Sequence, residues 1–223
     1  MNKTQEIITE QMLAYLTSIL KINEQINLTS IRDFEQARLL HLEDSLSALP
    51  EVEAAIPGKY ADIGTGGGFP GVPLCLATGR DTTLVDSRAK KLNAIKEALA
   101  LSGISHNKFI FEPSRIEDFG SEHRSEFAVI TARALSSLSS VMELACPALK
   151  VGGTLVAMKA NIEEDELNNA FKIHARLGFD EPRLRSFKLS DGLTNRTIVT
   201  LKKTAHESIK LPRKIGQAQK NPL

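Results

Sequence analysis

Asp62-Ile63-Gly64-Thr65-Gly66-Gly67-Gly68-Phe69-Pro70-Gly71 is the stretch on which the reading of this chain turns. Five glycines stand in the eight positions 64–71, directly after the short apolar run Tyr60-Ala61-Asp62-Ile63. Glycine adopts positive φ and lets a ligand approach the backbone closely. In open α/β sheets a ligand binds at the carboxyl ends of the parallel strands. A bare GxGxxG carries little weight. Glycines at this density, between a strand and a helix, point to a cofactor-binding turn rather than a flexible loop.

Outward from the turn the chain alternates strand and helix. Thr82–Val85 reads as a second strand ending at Asp86, and a helix follows from about Arg88 to Leu101. Lys108–Phe111 and Phe127–Thr131 read as the third and fourth strands, the latter followed by a helix to about Leu149. Gly152-Gly153 reads as a turn into a fifth strand, Thr154–Met158, and residues 163–177 read as helical. Two last strands, near 187–189 and 197–201, are spaced as an antiparallel hairpin. Such alternation implies a mainly parallel sheet with helices on both faces. With the closing hairpin it is the layout of a class I methyltransferase, Rossmann-like fold: seven strands, one of them antiparallel.

Upstream, residues 1–58 read as a helical N-terminal extension packed on the core. Ile7, Ile8, Met12, Leu16, Ile19 and Leu20 mark one apolar helix face, interrupted at Asn23 and Asn27. Asp33 is the expected N-cap of a second helix reaching about Leu49, with Pro50 and Pro57-Gly58 as punctuation. Residues 59–203 form the cofactor-binding domain, and 204–223 a basic tail.

Two carboxylates bear on the cofactor. Asp86 lies 22 residues after Gly64, where a carboxylate can accept the ribose hydroxyls of an adenosine, from NAD or from S-adenosylmethionine. Asp62 would repel a pyrophosphate and tolerate a sulfonium cofactor with an α-ammonium group, which favours S-adenosylmethionine.

Composition sets the outer limits. The 223 residues are 42% hydrophobic and 25% charged, which suits one soluble globular domain with a short appendage. No stretch approaches the ~18 uninterrupted apolar residues of a membrane span, and the N-terminus lacks a secretory pattern. Two distant cysteines, Cys75 and Cys146, make no disulfide framework and suit a reducing cytoplasm. Tryptophan is absent and aromatics are 5%, so base stacking on aromatic platforms is not the expected binding mode. No metal site is expected. The net charge of +1 hides an asymmetry: residues 202–223 carry six Lys/Arg against Glu207, and the remainder sums to −4. A basic tail on a slightly acidic body suggests a polyanion at one edge, or simply a solvated tail.

The chain lacks an Asn/Asp-Pro-Pro-Tyr/Phe motif for exocyclic adenine amines. Cys146, although followed by Pro147, reads as a small buried hydrophobe rather than a nucleophile. Guanine N7 has an in-plane lone pair, so no proton must leave before attack, and positioning suffices as the main catalytic term.

These residues resemble one family closely, the ribosomal RNA small-subunit guanine-N7 methyltransferases, or glucose-inhibited division protein B. The resemblance is carried by Asn27-Leu28-Thr29, His41–Ser45 and the glycine-rich block continued by Val72-Pro73-Leu74. Asp86-Ser87 with Lys90-Lys91, Ser114-Arg115-Ile116-Glu117 and Ala132-Arg133-Ala134 match as well. So do Leu211–Gly216 and Lys220–Leu223, although Gln217-Ala218-Gln219 stands where family tails often carry a proline.

The resemblance implies a guanine target in 16S ribosomal RNA, free or in the 30S particle. It implies a cofactor site lined by Gly64, Phe69, Ile116, Glu117 and Arg133, beside Gly66 and Asp86 of the turn reading. His41, Arg133 and Lys159 are the catalytic candidates. For His41 a capping or packing role competes, and for Lys159 a solvated charge. Lys210, Arg213, Lys214, Lys220 and Arg196 are the candidates for RNA contact. Glu163–Glu166 reads as a solvated helix start favoured by the helix dipole. A monomer without membrane partner is expected. Two other readings stay open: a methyltransferase for small molecules or proteins, and a non-catalytic RNA-binding module.

Overall fold

The computed structural model describes residues 8–223, so the expected apolar position Ile7 lies outside the described residues. Helix α1 spans Glu10–Ile26, with the Thr9 side chain accepting from the Met12 N–H. Met12, Leu16 and Ile19 are buried as the periodicity requires. Asn23 does not interrupt the helix. It is buried inside it, donating to Thr29 O at 2.9 Å and accepting from Thr29 N at 2.8 Å, so it staples the next loop to α1. The chain turns only at Asn27, in the left-handed conformation with φ 50°.

Helical segment α2 runs as Phe34–Ala37, a π-helical turn over Arg38–Glu43, and Asp44–Leu46. Asp33 caps it, accepting from Gln36 N at 2.8 Å. Pro50 does not end a helix but opens the next, α3, Leu49–Ala54, where its missing N–H costs nothing.

The remaining elements in order are β1 Tyr60–Ile63, α4 Gly71–Thr78, β2 Thr82–Val85, α5 Ala89–Leu101 and β3 Phe109–Glu112. Then come α6 Ile116–Glu122, β4 Phe127–Arg133, α7 Leu138–Ala145, β5 Leu149–Lys159 and α8 Glu164–Ile173. Strands β6 Arg183–Lys188 and β7 Asn195–Lys202 and the short α9 Gln217–Lys220 close the chain. Helix α6 was not expected, because Phe119 and Ile116 are too few apolar positions to show a period. Gly152-Gly153 lies inside the long β5, where the β4–β5 register shifts, rather than in a turn before it.

The sheet order is β3-β2-β1-β4-β5-β7-β6, with β7 antiparallel to both neighbours. That is the expected mainly parallel seven-stranded sheet with one antiparallel strand. Beside β2 and β3, Tyr15, Leu16 and Ile19 of α1 share one core cluster with Ile95, Leu99 and Phe69. A separate cluster joins Phe119, Met142 and Val199 with Leu211 and Ala218 of the C-terminal segment. Side chains this buried each contribute about 1.5–3 kcal/mol relative to exposure. Helix α1 and the C-terminal segment are therefore both part of the packed body.

Candidate active site

The glycine-rich turn is held from below by Asp62. Its carboxylate is fully buried and accepts from Thr65 Oγ1 at 2.6 Å, Gly71 N at 3.0 Å and Thr131 Oγ1 at 2.8 Å. These bonds tie the end of β1 to both ends of the turn and to β4. Asp62 lies beneath the turn, and the three donors that meet its carboxylate come from the turn and β4, so it holds the turn in place. From outside, Tyr15 of α1 donates to Gly67 O at 2.9 Å. Gly68 has φ +84°, and a Cβ there would lie 2.3 Å from Tyr15 Oη. Gly64 is equally constrained, with φ +72° and a Cβ position 2.6 Å from Leu135 Cδ1.

A cleft of about 310 Å³ opens at the carboxyl ends of β1, β2 and β3, lined among others by Gly64, Asp86, Ser114, Ile116, Glu117 and Gln219. Asp86 accepts from Gly66 N at 3.1 Å and Arg88 N at 2.9 Å, with Lys91 Nζ 3.5 Å away. Gly66 thus meets Asp86 through its backbone. Ser114 Oγ is buried here with no hydrogen-bond partner among the described residues. A buried hydroxyl without a partner costs about 1–3 kcal/mol, and in a cleft it marks where a polar ligand atom would bind. A carboxylate at the second strand, a glycine turn and a waiting hydroxyl fit the adenosine part of S-adenosylmethionine.

A second pocket of about 390 Å³ lies at the carboxyl ends of β4 and β5. His41, Asp44, Arg133, Lys159 and Arg196 supply its polar groups, and Ile31, Leu40 and Met158 its apolar walls. The π-helical turn of α2 brings His41 and Asp44 to this wall; such widened turns recur at functional sites. Arg133, the last residue of β4, donates to Leu40 O at 2.8 Å and Asp44 Oδ2 at 3.1 Å. Arg196, inside β7 rather than before it, donates to Asp44 Oδ1 at 2.8 Å. Asp44 thus holds two arginines from different strands. His41 Nε2 is 3.1 Å from Thr29 Oγ1, and its ring stacks on Phe69 at 4.8 Å. Lys159 donates to Ser136 O and Glu166 Oε1, each at 2.6 Å, so it is neither a solvated charge nor separate from the acidic helix start. Glu166 also accepts from Leu138 N at 2.6 Å, which removes it from the solvated set.

Ala134 lines both the cleft beside the glycine-rich turn and this second pocket, and it has φ +50°. A non-glycine residue in the left-handed region is strained, and such strain collects at functional sites. Phe69 lines neither cleft. It is buried between Tyr15 and His41, with the Arg133 guanidinium 5.9 Å from its ring.

Two groups here titrate in the same window with opposite signs. Burial pushes Asp62 up from an ordinary 3.8 to about 6, against hydrogen bonds from Thr65, Thr131 and Gly71. Burial, helped by the charge of Arg133, pulls His41 down from 6.5 to about 4. Between the two Asp62 values the folded chain keeps a proton that the unfolded chain has released, so that contribution falls as pH rises. Between the two His41 values the unfolded chain binds a proton that the folded chain lacks, so that contribution grows as pH rises. Urea unfolding between about pH 4 and 6 should therefore show a shallow net dependence in the wild type. His41→Asn should expose a falling slope and Asp62→Asn a rising one, each approaching about 1 kcal/mol per pH unit. Parallel curves for the three proteins would refute this assignment.

Much of the basic tail packs on the body. Leu211 and Ala218 are buried, and Ser140 Oγ donates to Ala218 O at 2.7 Å. Arg213 is paired with the buried Glu143 (Nε–Oε1 2.6 Å) and donates to Asn221 O, so its guanidinium is already engaged. Lys210, Lys214 and Lys220 remain exposed. Of the RNA candidates, Arg196 and Arg213 are held by carboxylates and these three lysines are not. Asp44, Ser114 and Gln219 are not among the site residues that sequence reasoning singles out, although Asp44 could be expected to pair with a nearby base. Their residue types are common, and only the fold brings them to the clefts.

The family description rRNA small subunit methyltransferase G (GidB) matches residues 8–189. The chain is 36% identical over 219 residues to Ribosomal RNA small subunit methyltransferase G of an Exiguobacterium species, covering 96% of this chain and 90% of that protein. The protein of the same name from Bacillus subtilis is 34% identical over 220 residues, with the same coverage of 96% and 90%. Among solved structures, a SAM-dependent O-methyltransferase of Thermotoga maritima superposes with a TM-score of 0.58 at 13% identity, covering 85% of this chain and 72% of that one. A ribosomal protein L11 methylase of Lactobacillus delbrueckii subsp. bulgaricus gives 0.55 at 15%, covering 73% and 78%. At those identities the structures speak for the fold alone. Sequence identity carries the family: this chain belongs to the rRNA small subunit methyltransferase G family, S-adenosylmethionine-dependent methyltransferases.

Proposed function

We propose that the chain transfers a methyl group from S-adenosylmethionine to N7 of a guanine in 16S ribosomal RNA. The observation that carries this reading is the junction at Ala134, where the adenosine-type cleft meets a second pocket rimmed by cations. S-adenosylmethionine, when bound, supplies an electrophilic methyl group. The chain's own residues then need only hold the base in line with it, because the N7 lone pair is already free. Neutral His41, pinned to Thr29 and Phe69, shapes the pocket and is not required as a base. Cys75 and Cys146 are buried with thiols pushed up to about 11 and about 12, which supports a route without a cysteine adduct.

Asp44 fixes Arg133 and Arg196 at the pocket, from where they contact guanine O6 or flanking phosphates. An arginine directed at O6 favours guanine over adenine, which presents a donor there. The exposed Lys210, Lys214 and Lys220 contact RNA phosphates, position the substrate and read no sequence. The substrate is ribosomal RNA or the 30S particle, in the cytoplasm, and the chain works as a monomer. Its exposed large apolar residues are scattered over several elements, which supports the last point. No helix of the described residues is long and apolar enough to cross a membrane.

The test is incubation with labelled S-adenosylmethionine and undermethylated 30S particles, naked 16S ribosomal RNA and free nucleotides in parallel. N7-methylguanosine in digested 16S RNA is the expected product. Label confined to protein, to small molecules or to another base position would overturn the reading. The phosphate contacts have their own test. Changing Lys210, Lys214 and Lys220 together to Gln should reduce the slope of log affinity against log salt by about 1.5–2.5, taking roughly 0.7–0.9 per contact for two or three contacts. An unchanged slope would remove these lysines from the interface.

A further inference from the structure

We propose that the C-terminal segment is a built-in wall of the cofactor cleft and that Gly216 and Gln219 are positioning residues for it. The inference rests on reading that cleft as the S-adenosylmethionine site. Gly216 N donates to Glu117 Oε1 at 2.7 Å, across 99 residues of chain. Glu117 is buried, lies in the first turn of α6, and lines the cleft; Gln219 lines the same cleft. Among the described residues one oxygen of Glu117 is held by the tail and no protein group donates to the other.

The segment is anchored well enough to serve as a wall. Arg213 forks onto Glu143 of α7, Ser140 of α7 holds the Ala218 carbonyl, and Arg124 donates to Leu211 O at 2.8 Å. Lys203, fully buried, donates to Glu207 Oε2 at 3.0 Å and so fixes the start of the tail as well. These anchors surround Gly216 and Gln219 without entering the cleft. A loose tail would leave Glu117 without its backbone donor and the cleft open on that side. Closing the segment on α7 and binding the cofactor are therefore coupled, and coupling of this kind is reciprocal: each must stabilise the other.

Reciprocity gives the decisive measurement. Trypsin should cut the wild-type chain after Lys214 and Lys220, and saturating S-adenosylhomocysteine should slow both cuts at least about fivefold relative to cleavage elsewhere in the chain. Gln219→Ala should weaken S-adenosylhomocysteine binding by calorimetry about three- to tenfold. The KM for S-adenosylmethionine should rise in parallel, while kcat at saturating cofactor stays within about twofold and the melting temperature holds. Truncation after Ile215 should weaken binding further; if that protein fails to fold, the proteolysis of the wild type decides alone. Tail cleavage at equal rates with and without S-adenosylhomocysteine would overturn the proposal. So would a Gln219→Ala protein that binds S-adenosylhomocysteine normally but has lost affinity for ribosomal RNA, because the tail would then serve the RNA. Failure of the wild-type chain to bind S-adenosylhomocysteine at all would overturn the cofactor reading together with the proposal.

Discussion

Arg133→Ala is expected to lower kcat/KM for methyl transfer to 16S RNA by about a hundredfold or more, roughly 2.7 kcal/mol of barrier. The guanidinium ends β4 next to Ala134, where the two clefts meet, and reaches across to α2 through Leu40 O and Asp44. Its loss removes a cation from the second pocket, proposed for the substrate, and frees the wall that carries His41. Stability should also fall, by about 1–3 kcal/mol, because the Leu40 carbonyl loses its donor. The fall is limited because Arg196 still holds Asp44. Arg133→Lys keeps the charge but not the fork, so it should restore stability in part and activity only slightly. Turnover within about threefold of wild type in Arg133→Ala, roughly 0.7 kcal/mol, would remove Arg133 from the machinery.

The largest loss of stability is expected from Asp62→Ala, at about 3–5 kcal/mol by urea unfolding. Three donors converge on that carboxylate, and one of them, Gly71 N, has no freedom to rotate toward another acceptor. With the carboxylate gone the turn loses its tie to β1 and β4, and S-adenosylhomocysteine binding should weaken at least about tenfold. Asp62→Asn preserves an oxygen for Thr65 and Gly71 and should cost only about 1–2 kcal/mol. A loss below about 1 kcal/mol in Asp62→Ala would show that the turn is held by other contacts.

Asp62 also shows where one-dimensional reasoning stops. Its position two residues before the first glycine is visible in the sequence, and so is the repulsion a carboxylate would exert on a pyrophosphate. The direction of its side chain is not. Successive strand residues face opposite sides, but β1 is buried on both, so no polar/apolar alternation reveals which face meets the cofactor. The tail is illegible for a related reason. Six basic residues in 22 look like a solvated polycation, yet Lys203 is fully buried on Glu207 and Arg213 is clamped on Glu143. Charge is counted along the chain, whereas the carboxylates that neutralise it come from elsewhere in the fold. Asn23 repeats the lesson on a small scale: a poor helix former is held inside α1 because its amide closes on the backbone of Thr29.

By itself the sequence determined the alternation of strands and helices, the glycine-rich turn between β1 and α4, the carboxylate at the end of β2, and, through long matching motifs, the family. These features are local: periodicity, glycine density and fixed spacing survive in one dimension because neighbouring residues create them. The tertiary structure alone decided that Asp44 gathers Arg133 and Arg196, that Phe69 packs against His41, and that the C-terminal segment closes the cleft beside Glu117. Those pairs are separated by 28 to 152 residues. Each depends on how the helices dock on the sheet, so the free energy of packing chooses the partner and nothing in the local sequence records it.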